Sequence, residues 1–510
     1  MQTKINLAAV EQWNEGAPRI NGPEIYGASA KKTFLYTVPA TGERPIRFSA
    51  QALPDGLRID ASNGQITGSV AQDGEYRILL QAENRHGRAE KEFCIAIGKG
   101  LALTPPMGWN SWNAWECFID DGKARTAADW LVKTGLASRG YTYVNIDAGW
   151  QGRRGGKHNA IQPNRKFPDM KELSKYIHAH GLKLGIYSTP WTSSWGRVDQ
   201  KLLEEWGTER LTGCSSGEPD PSFKINSLPD GRYVGLNKHE AEDVAQWVEW
   251  GVDLLKYDWC PTDPDSAERM GRALKAVGRD IVMGICTQAR LKNIDVFKKW
   301  VHISRGLNDT LDTYLSVIRN AFAADDFWQE DWRPHIGPGF WRDLDMFALG
   351  PLFATATSCR PNRLSQDEQI TNMTAWVLYP SPLMLSCDLS SLNDFELRLF
   401  GNEEVIAVNQ DRLGKPAMRI YEQRGQQTGA ERPQVNRRAW SRPLADGSFA
   451  VGLFNLADSP DEFPLDFSLL GISGTAAIRN VWERRDIGRI RDSFSINVPA
   501  HGAQLLRIKK

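Results

Sequence analysis

The sequence predicts a multidomain protein in which a central (β/α)8 TIM barrel is flanked by an N-terminal β-sandwich and a C-terminal antiparallel β-sandwich. Three observations lead to this prediction. Short alternating apolar runs separated by turns extend from about residue 20 to residue 98, strand–helix alternation then continues for roughly 300 residues, and strand patterns return near the C-terminus. We place the domain boundaries at residues 1–98, 99–412 and 413–510.

The two flanking regions show the short, turn-bounded runs that are typical of β-sandwiches. The helical signal fades after Asn409-Gln410-Asp411, and residues 449–454 and 502–508 have strand patterns, so we expect the second sandwich to pack on the barrel. In the N-terminal region the predicted strands are residues 33–38, 46–50, 65–68, 76–82 and 92–97.

The central region alternates buried strands with helices. Ser365 and Glu368 have the spacing of a capping box, as do Asp169 and Glu172, so a helix is predicted to begin at each pair. Repeated strand–helix units favour a barrel over an open doubly wound sheet, and no GxGxxG motif follows an early strand to indicate dinucleotide binding. The predicted barrel strands include residues 143–147, 182–188, 254–258, 280–286 and 383–387.

Charge and hydropathy exclude several classes of protein. The chain has 62 lysines and arginines and 62 aspartates and glutamates. It therefore lacks the net positive charge that is typical of proteins that bind nucleic acid or an anionic membrane. No apolar run approaches the length of a membrane span. The N-terminal residues lack the sustained apolar stretch of a signal peptide. We therefore expect a cytoplasmic protein, or a secreted or periplasmic one if a signal peptide was removed.

Cysteine, histidine and tryptophan usage narrows the range of metal sites, disulfides and ligands that the sequence supports. The seven cysteines show no CxxC or Cys/His spacing and the eight histidines show no HxH or HExxH arrangement, which argues against a zinc site, a disulfide framework and a metal-dependent hydrolase. Many of the 19 tryptophans lie beside polar residues, as in GWNSW, GWQG, PWTSSWG and FWRD. Aromatic rings among polar loop residues suit a carbohydrate pocket.

The segment LLKYDWC (254–260) ends an apolar run in a lysine, an aromatic residue and an aspartate. In a (β/α)8 barrel the chemistry lies at the C-terminal ends of the strands, although an aspartate there can also cap the next helix. Glycoside hydrolysis requires two carboxylates that face the scissile bond, one as nucleophile or base and one as acid. The candidates at predicted strand ends are Trp112, Asp147, Tyr187, Lys256, Asp258, Arg305, Asp309, Asp343 and Asp345.

Six segments together resemble the α-galactosidases of glycoside hydrolase family 27, in matching order and spacing from Leu101 to Lys415. The N-terminal stretch LPDGLRIDASNGQITG (53–68) resembles immunoglobulin-like modules that precede some bacterial members, which implies an Ig-like fold for the first sandwich. The six segments are PPMGWNSW (105–112), YVNIDAGWQ (143–151), GIYS (185–188), LLKYDWC (254–260), WRDLDM (341–346) and AVNQDRLGK (407–415).

This resemblance implies a role for each matching residue. Asp258 matches the nucleophile, and Asp309 matches the acid/base, which follows an arginine by four residues. Asp312 is the rival for the acid/base role, with a spacing that fits less well. The family retains anomeric configuration, which implies carboxyl groups about 5–5.5 Å apart, and needs no metal or organic cofactor. The predicted substrate-binding residues are Trp112, Asp147, Tyr187, Lys256, Thr287, Arg305 and Asp345.

Several departures from the family pattern bear on specificity. Galactose-specific members usually carry two adjacent aspartates after the second strand, whereas this chain has Asp147-Ala148. Either water or a neighbouring residue replaces the lost carboxylate, or the subsite has an altered demand at O4 or C6 of the sugar. In the 286–290 loop, which surrounds the sugar's 2-position in relatives, Thr287 is small and leaves room there. Arg290 is expected at the solvated surface, the alternative being contact with an anionic or heavily hydroxylated group.

The segment 191–238 is longer than in typical members and is predicted to be a loop above the barrel mouth, where it would influence substrate choice. The cysteine that usually pairs with the position of Cys260 would fall near Trp195 and is absent. Cys260 is therefore predicted to be unbridged or to pair elsewhere, for instance with Cys214.

The sequence thus predicts a retaining α-glycoside hydrolase that acts on an oligosaccharide or polysaccharide, with α-galactosidase as the favoured activity. The alternatives within the family are a β-L-arabinopyranosidase, an α-N-acetylgalactosaminidase and an α-glucoside-active enzyme. An alternative of another class is a non-catalytic carbohydrate-binding protein, which the presence of both Asp258 and Asp309 disfavours. No nucleic acid or membrane partner is expected, and the oligomeric state stays open.

Overall fold

Eight parallel strands form the centre of the molecule. The computed structural model describes Ile5 and residues 7–8, 12–223, 231–286, 289–306, 308–323, 331–424 and 435–510. The first seven strands pair consecutively along the chain and the eighth pairs with the first, while a parallel bridge between Phe347, after the seventh strand, and Leu385 in the eighth closes the ring. The predicted TIM barrel is confirmed. Its strands are β1 (Met107–Asn110), β2 (Tyr143–Ile146), β3 (Lys183–Ser188), β4 (Val252–Tyr257), β5 (Val282–Ile285), β6 (Ile303–Arg305), β7 (Trp341–Asp343) and β8 (Leu383–Leu385).

The barrel strands are short and almost wholly buried, as parallel strands covered by helices must be. Where the sequence predicts them, the observed strands agree apart from one or two residues at the ends. Asp147 and Asp258 each lie one residue beyond a strand. The backbone amide of Asp258 donates a hydrogen bond of 2.8 Å to the carbonyl of Ser188, which holds this first loop residue against the end of β3.

Helices surround the barrel, and their starts follow the capping signals in the sequence. Ser365 and Glu368 form the predicted capping box, and Asp169 caps its helix by accepting a hydrogen bond from the amide of Glu172. Within the described ranges, every helix falls short of the length and apolarity that crossing a bilayer requires. The α-helices are Trp112–Trp115, Asp121–Lys133, Met170–Ala179, Gln200–Glu205, Glu240–Trp250, Pro264–Ala276, Ile294–Trp300, Tyr314–Ile318, Gln366–Leu378, Asp394–Gly401 and Glu403–Asn409.

The N-terminal domain is the predicted β-sandwich, and it packs on the N-terminal ends of the barrel strands. The backbone amide of Ser29 donates to Asp280 at 2.7 Å, and the ammonium of Lys183 at the start of β3 lies 4.6 Å from the ring centre of Tyr26. This is the face opposite Asp147 and Asp258. One sheet has the order Ile25–Ala28, Gly87–Ile97, Gly74–Asn84, Arg47–Gln51, the second has the order Phe34–Thr37, Gln65–Gly68, Leu57–Ile59, and Arg19–Ile20 pairs with Ala40–Thr41.

The C-terminal domain is also a sandwich of antiparallel strands, as predicted. It packs on the helix Gln366–Leu378, where Trp482 Nε1 donates to Thr374 Oγ1 at 3.0 Å and Arg442 donates to the carbonyl of Val377 at 3.0 Å. The larger sheet has the order Met418–Arg424, Val435–Pro443, Phe449–Asn455, Ala503–Lys509, Thr475–Asn480, Arg485–Arg491, and the smaller sheet pairs Asp461–Asp466 with Ser493–Val498.

The segment 191–238 differs from the plain loop that its composition predicts. It contains the helix Gln200–Glu205 and a hairpin of strands Ser215–Pro219 and Gly235–Lys238, while residues 224–230 lie outside the described ranges. Leu203, Trp206 and Leu211 pack with Cys117 into an apolar cluster of their own. Burial of these side chains explains the ordered structure, because gains from apolar contacts offset the entropy of ordering the chain. Two further hairpins pair Gln151–Gly155 with Ala160–Pro163 and Leu352–Thr355 with Ser358–Arg360.

Candidate active site

A cavity of about 390 Å³ opens at the C-terminal ends of the barrel strands. Its walls come from the ends of β3, β4 and β6 and from the segments after β1, β2, β3, β4, β6 and β7. This is the face at which barrel enzymes place their chemistry, and the volume suits a small-molecule site. The predicted site residues that line it are Trp112, Asp147, Tyr187, Lys256, Asp258, Arg305 and Asp309.

Asp147 lies buried at the floor of this cavity, held by three donors. Lys256 Nζ donates to its Oδ2 at 2.7 Å, and Asn110 Nδ2 donates to the same oxygen at 2.9 Å. The backbone amide of Ala148 donates to Oδ1 at 2.8 Å. Burial disfavours the charge of Lys256, but the carboxylates of Asp147 and Asp258 outweigh it and raise the lysine pKa above its usual value. Lys256 is therefore a fixed cation in the cavity.

Two aromatic residues form walls beside this network. Tyr187 is buried near the end of β3, with the ammonium of Lys256 lying 5.5 Å from its ring centre. The backbone amide of Trp195 donates to the Tyr187 hydroxyl at 3.4 Å. Trp112 starts the short helix after β1, and its amide donates to Asn110 Oδ1 at 2.8 Å. Asn110 and Lys256, which hold Asp147, thus also contact the Trp112 backbone and the Tyr187 ring.

Asp258, the first residue after β4, lies within electrostatic range of the other charged groups of the cavity. Burial raises its pKa above the usual value, and the charges of Asp147 and Asp309 act in the same direction. The cations Lys256 and Arg305 oppose this shift and favour the ionised form. Because Asp309 contributes to the shift, the two predicted catalytic carboxylates influence each other across the cavity.

Arg305 connects the floor of the cavity to its rim. It is 4% exposed at the end of β6, whereas the side chain of Asp309, to which its Nη2 donates, is 74% exposed. Desolvation by the pocket walls raises the pKa of Asp309, but the charge and hydrogen bond of Arg305, helped by Lys256, outweigh it and hold the pKa below its usual value. Without substrate, Asp309 is an anion paired with Arg305.

Asp345 lies deeper than the resemblance implies. Arg305 Nη1 is 3.4 Å from its Oδ1, and the amide of Thr310 donates to its Oδ2 at 2.6 Å. Burial raises the pKa of Asp345 to about 7, with Arg305 opposing the shift and Asp309 adding to it. The residue has a φ of 88°, a left-handed conformation that is uncommon for aspartate. Asp345 therefore anchors the segment that carries Asp309, and its contact with a sugar stays a prediction.

Asp312 and Asp343 take up positions away from the cavity wall. Asp312 is 3% exposed and accepts hydrogen bonds of 2.6 Å from both Arg360 and Arg363. These arginines lower its pKa against the effect of burial. Asp343 accepts a hydrogen bond of 2.8 Å from the amide of Asp345 and lines a small interior space beneath the cavity. Both carboxylates are occupied by structural contacts.

Three predictions for the region between residues 191 and 290 have different outcomes. Thr287 lies outside the described residues, so its predicted place beside the sugar stays a prediction. Arg290 is exposed, as expected. The suggested disulfide between Cys214 and Cys260 is wrong, because Cys214 is a free, buried thiol with its Sγ 3.1 Å from Ser188 Oγ.

Five more residues line the cavity that were not predicted as catalytic or substrate-binding, although the sequence marks Ala148 as a departure from the galactose pattern. Most of them are sequence neighbours of predicted residues, so proximity along the chain was the available signal. Trp195 is different, because it belongs to the flagged aromatic segment PWTSSWG and enters the cavity only through the fold of the 191–238 segment. The five residues are Ala148, Trp195, Cys260, Asn308 and Met346.

A TIM barrel that places three carboxylates, a lysine and an arginine around one cavity at its C-terminal face is the arrangement of a glycoside hydrolase. The family model for Alpha galactosidase A matches residues 104–214 and 229–411, which is more than half of the chain. The chain therefore belongs to this family, glycoside hydrolase family 27, as the sequence motifs predict. The model for the Alpha galactosidase C-terminal beta sandwich domain matches residues 435–508, and that for the "Putative Ig domain" matches residues 17–98.

Similar proteins cover most of the chain. An α-galactosidase of Oryza sativa is 30% identical over 418 residues, which span 80% of this chain and 86% of the relative. α-Galactosidase A of Cellvibrio japonicus is 30% identical over 433 residues, 80% of this chain and 92% of the relative. A solved structure from Bacteroides fragilis, described as a "putative alpha-galactosidase/melibiase", has a TM-score of 0.80 at 29% identity and covers 98% of this chain and 99% of its own.

Proposed function

We propose that this protein hydrolyses terminal α-linked galactosides with retention of configuration. The observation that carries the proposal is the shared cavity of Asp258 and Asp309, each beside a cation. A retaining mechanism needs one carboxylate as nucleophile and a second as acid/base across the same bound sugar. Galactose as the sugar is supported by the relatives, which are α-galactosidases.

Asp258 is proposed as the nucleophile. Its carboxylate attacks the anomeric carbon as the glycosidic bond breaks, which forms a covalent glycosyl-enzyme. Lys256 and Arg305 favour the ionised carboxylate that this attack requires. The hydrogen bonds that Asp147 accepts from Lys256 and Asn110 keep the lysine in place.

Asp309 is proposed as the acid/base. It donates a proton to the leaving oxygen and then takes a proton from the water that hydrolyses the glycosyl-enzyme. Arg305 lowers the pKa of Asp309 in the unliganded protein, so the acid form requires this contact to weaken when substrate binds. The open position of Asp309 at the rim leaves its side chain free to make that movement.

Replacement of Asp258 tests the proposal directly. Asp258→Asn removes the nucleophile but keeps the shape of the side chain, so turnover of aryl α-galactosides should fall by at least about a thousandfold. Circular dichroism and the thermal midpoint should show a folded protein. Asp265→Asn, which changes an exposed carboxylate on the helix after β4, is the matched control and should keep full activity. Undiminished activity of Asp258→Asn would refute the assignment.

A β-L-arabinopyranosidase is the second candidate, favoured by one observation. Ala148 lines the cavity and presents a methyl group where galactose-specific members usually have a carboxylate. β-L-Arabinopyranose matches galactose in stereochemistry but lacks the exocyclic hydroxymethyl group, so it makes fewer demands on polar partners there. Rates on the nitrophenyl glycosides of galactose, L-arabinopyranose, N-acetylgalactosamine and glucose decide between the two candidates and the remaining family alternatives.

A further inference from the structure

Trp195 is the residue of the cavity that comes from the 191–238 segment. Trp195 is partly exposed, whereas Trp191, whose ring packs against it, is 4% exposed. Trp195 lies in the part of this segment that the family model matches, whereas residues 215–228 are unmatched. A rigid aromatic wall supplied by such a segment can alter sugar choice without changing the carboxylates.

Several contacts hold the Trp195 ring in place. The guanidinium of Arg232 lies 4.3 Å from the ring centre of Trp195, and Arg232 also donates to the Trp195 carbonyl at 3.4 Å. On another side, the Trp191 ring packs against Trp195 at 4.7 Å with an interplanar angle of 68°. Arg232 is 6% exposed, and a desolvated cation over an indole is among the stronger cation–π contacts. The amide of Trp195 donates to Tyr187, which fixes the backbone as well.

The position of Trp195 around the barrel indicates which part of a sugar it meets. Trp195 is bonded to Tyr187 on β3 and shares its side of the cavity with Ala148 after β2 and Cys260 after β4. Asp309 follows β6, three strands further around the ring of eight. The leaving group must lie beside the acid Asp309. The Trp195 side therefore faces the ring of the sugar that is transferred.

We propose that Trp195, positioned by Arg232, determines which sugar is accepted by packing on the transferred sugar at the end remote from Asp309. This inference rests on the proposed function and deepens it. Trp195 and Ala148 give the cavity a mainly apolar wall there, which matches carbon–hydrogen groups better than a polar substituent. The wall favours a sugar whose exocyclic substituent at this end is small or absent, and it leaves recognition of the leaving group unchanged.

Kinetics with two substrates that share a leaving group test the proposal. Removal of the wall by Trp195→Ala should lower kcat/KM for nitrophenyl β-L-arabinopyranoside more than for nitrophenyl α-galactoside, because the hydroxymethyl group of galactose fills part of the vacated space. The ratio should shift toward galactose by about tenfold, with most of the change in KM. Trp195→Phe keeps an aromatic wall and should stay within about threefold of the wild-type ratio.

Variants of Arg232 separate positioning from simple destabilisation. Arg232→Ala frees the indole and should move the ratio of the two kcat/KM values in the same direction as Trp195→Ala. Arg232→Lys keeps a cation near the ring and should bring the ratio most of the way back to the wild-type value. Arg210→Ala removes an exposed arginine of the same segment and is the matched control, with an unchanged ratio. Thermal midpoints of all variants show whether folding is affected.

The outcomes distinguish this inference from the proposed function. An unchanged sugar ratio in Trp195→Ala, with the wild type active, would overturn the inference and leave the function standing. The effect of Trp195→Ala on kcat/KM should also be the same for nitrophenyl α-galactoside and an α-galactosyl disaccharide. An effect that differs between these two leaving groups would equally overturn the inference. If the wild type hydrolyses none of the glycosides, the function fails. In that case the affinities of wild type and Trp195→Ala for galactose and L-arabinose, measured by calorimetry, test the inference. Equal effects of the substitution on the two affinities would refute it.

Discussion

At the scale of single residues, Asp309 and Asp312 have opposite surroundings although three positions separate them. Asp309 is 74% exposed at the rim of the cavity and pairs with Arg305. Asp312 is 3% exposed and is held by Arg360 and Arg363 from the segment that follows β7. An acid/base must reach the leaving oxygen and exchange protons with water. This difference in access favours Asp309 for that role.

Substitution of the two aspartates should therefore have different consequences. Asp309→Asn should lower the rate on an α-galactosyl disaccharide by about a hundredfold or more, because a poor leaving group needs the proton. The loss of rate should be smaller for dinitrophenyl α-galactoside, because dinitrophenolate is a good leaving group and departs without protonation. Rates on both substrates check this prediction.

Asp312→Asn is the matched comparison. It should lower the free energy of unfolding by about 1–3 kcal/mol, because two arginines lose a charged acceptor. The dependence of rate on leaving group should stay as in the wild type. Urea unfolding and the same two substrates provide the measurements. A leaving-group effect in Asp312→Asn but not in Asp309→Asn would exchange the assignments.

At the scale of secondary-structure elements, β1 shows how close packing of strands constrains the motif PPMGWNSW. Gly108 pairs with Tyr143 on β2, and a Cβ at Gly108 would lie 2.7 Å from the backbone nitrogen of Tyr143. Contacts this short do not occur without a shift of the backbone. β1 carries Asn110 at its end, which holds both Asp147 and the amide of Trp112. The spacing of β1 and β2 therefore sets the floor of the active site.

Gly108→Ala should destabilise the barrel. Overpacking between two central strands costs about 1–3 kcal/mol, so the midpoint of urea unfolding should fall, and activity should fall as Asn110 moves. Gly278→Ala is the matched control, because a Cβ there has no described atom within 4 Å. Its stability should stay within about 0.5 kcal/mol of wild type. Equal stability of the two variants would contradict the packing argument.

At the scale of the whole molecule, the C-terminal sandwich is joined to the barrel by a cluster of charges around His501. Its Nδ1 lies 2.9 Å from Glu368, the residue that completes the capping box of the barrel helix, and its Nε2 lies 2.9 Å from Asp458. Burial lowers the pKa of His501, but the hydrogen bonds and charges of the two carboxylates outweigh it and raise the pKa above its usual value. Glu368 has a lowered pKa and stays ionised in mildly acidic solution.

Stability should therefore depend on pH through His501. Because its pKa is higher in the folded than in the unfolded protein, the protonated ring stabilises the fold below the unfolded-state value of about 6.5, and this contribution is lost as pH rises through the folded-state pKa. His501→Gln should lower the free energy of unfolding more at about pH 6 than at about pH 8.

Urea unfolding of wild type and His501→Gln at both pH values measures this difference. His335→Gln is a suitable control, since the histidine–carboxylate pairs among the described residues do not include His335. Its effect should be the same at both pH values. A His501→Gln effect that is constant or larger at the higher pH would contradict the linkage.

Much of this architecture follows from local patterns in the chain. The period of apolar residues predicts the strands and helices, and the polar residues that end the runs 143–147 and 254–258 predict where charge emerges from the barrel. Those patterns depend on residues close together in the chain, such as Ser365 and Glu368. They therefore do not depend on how distant segments fold.

The tertiary structure alone decided which distant side chains meet. It placed the guanidinium of Arg232 over the ring of Trp195, which lines the cavity together with Asp258. It also paired Asp345 with Arg305, and Asp312 with Arg360 and Arg363. The sequence by itself determined the barrel, its flanking sandwiches and the carboxylates at the strand ends, because hydrophobic periodicity is a local property. The wall and the depth of the site were decided by packing between segments far apart in the chain, and no local pattern records those contacts.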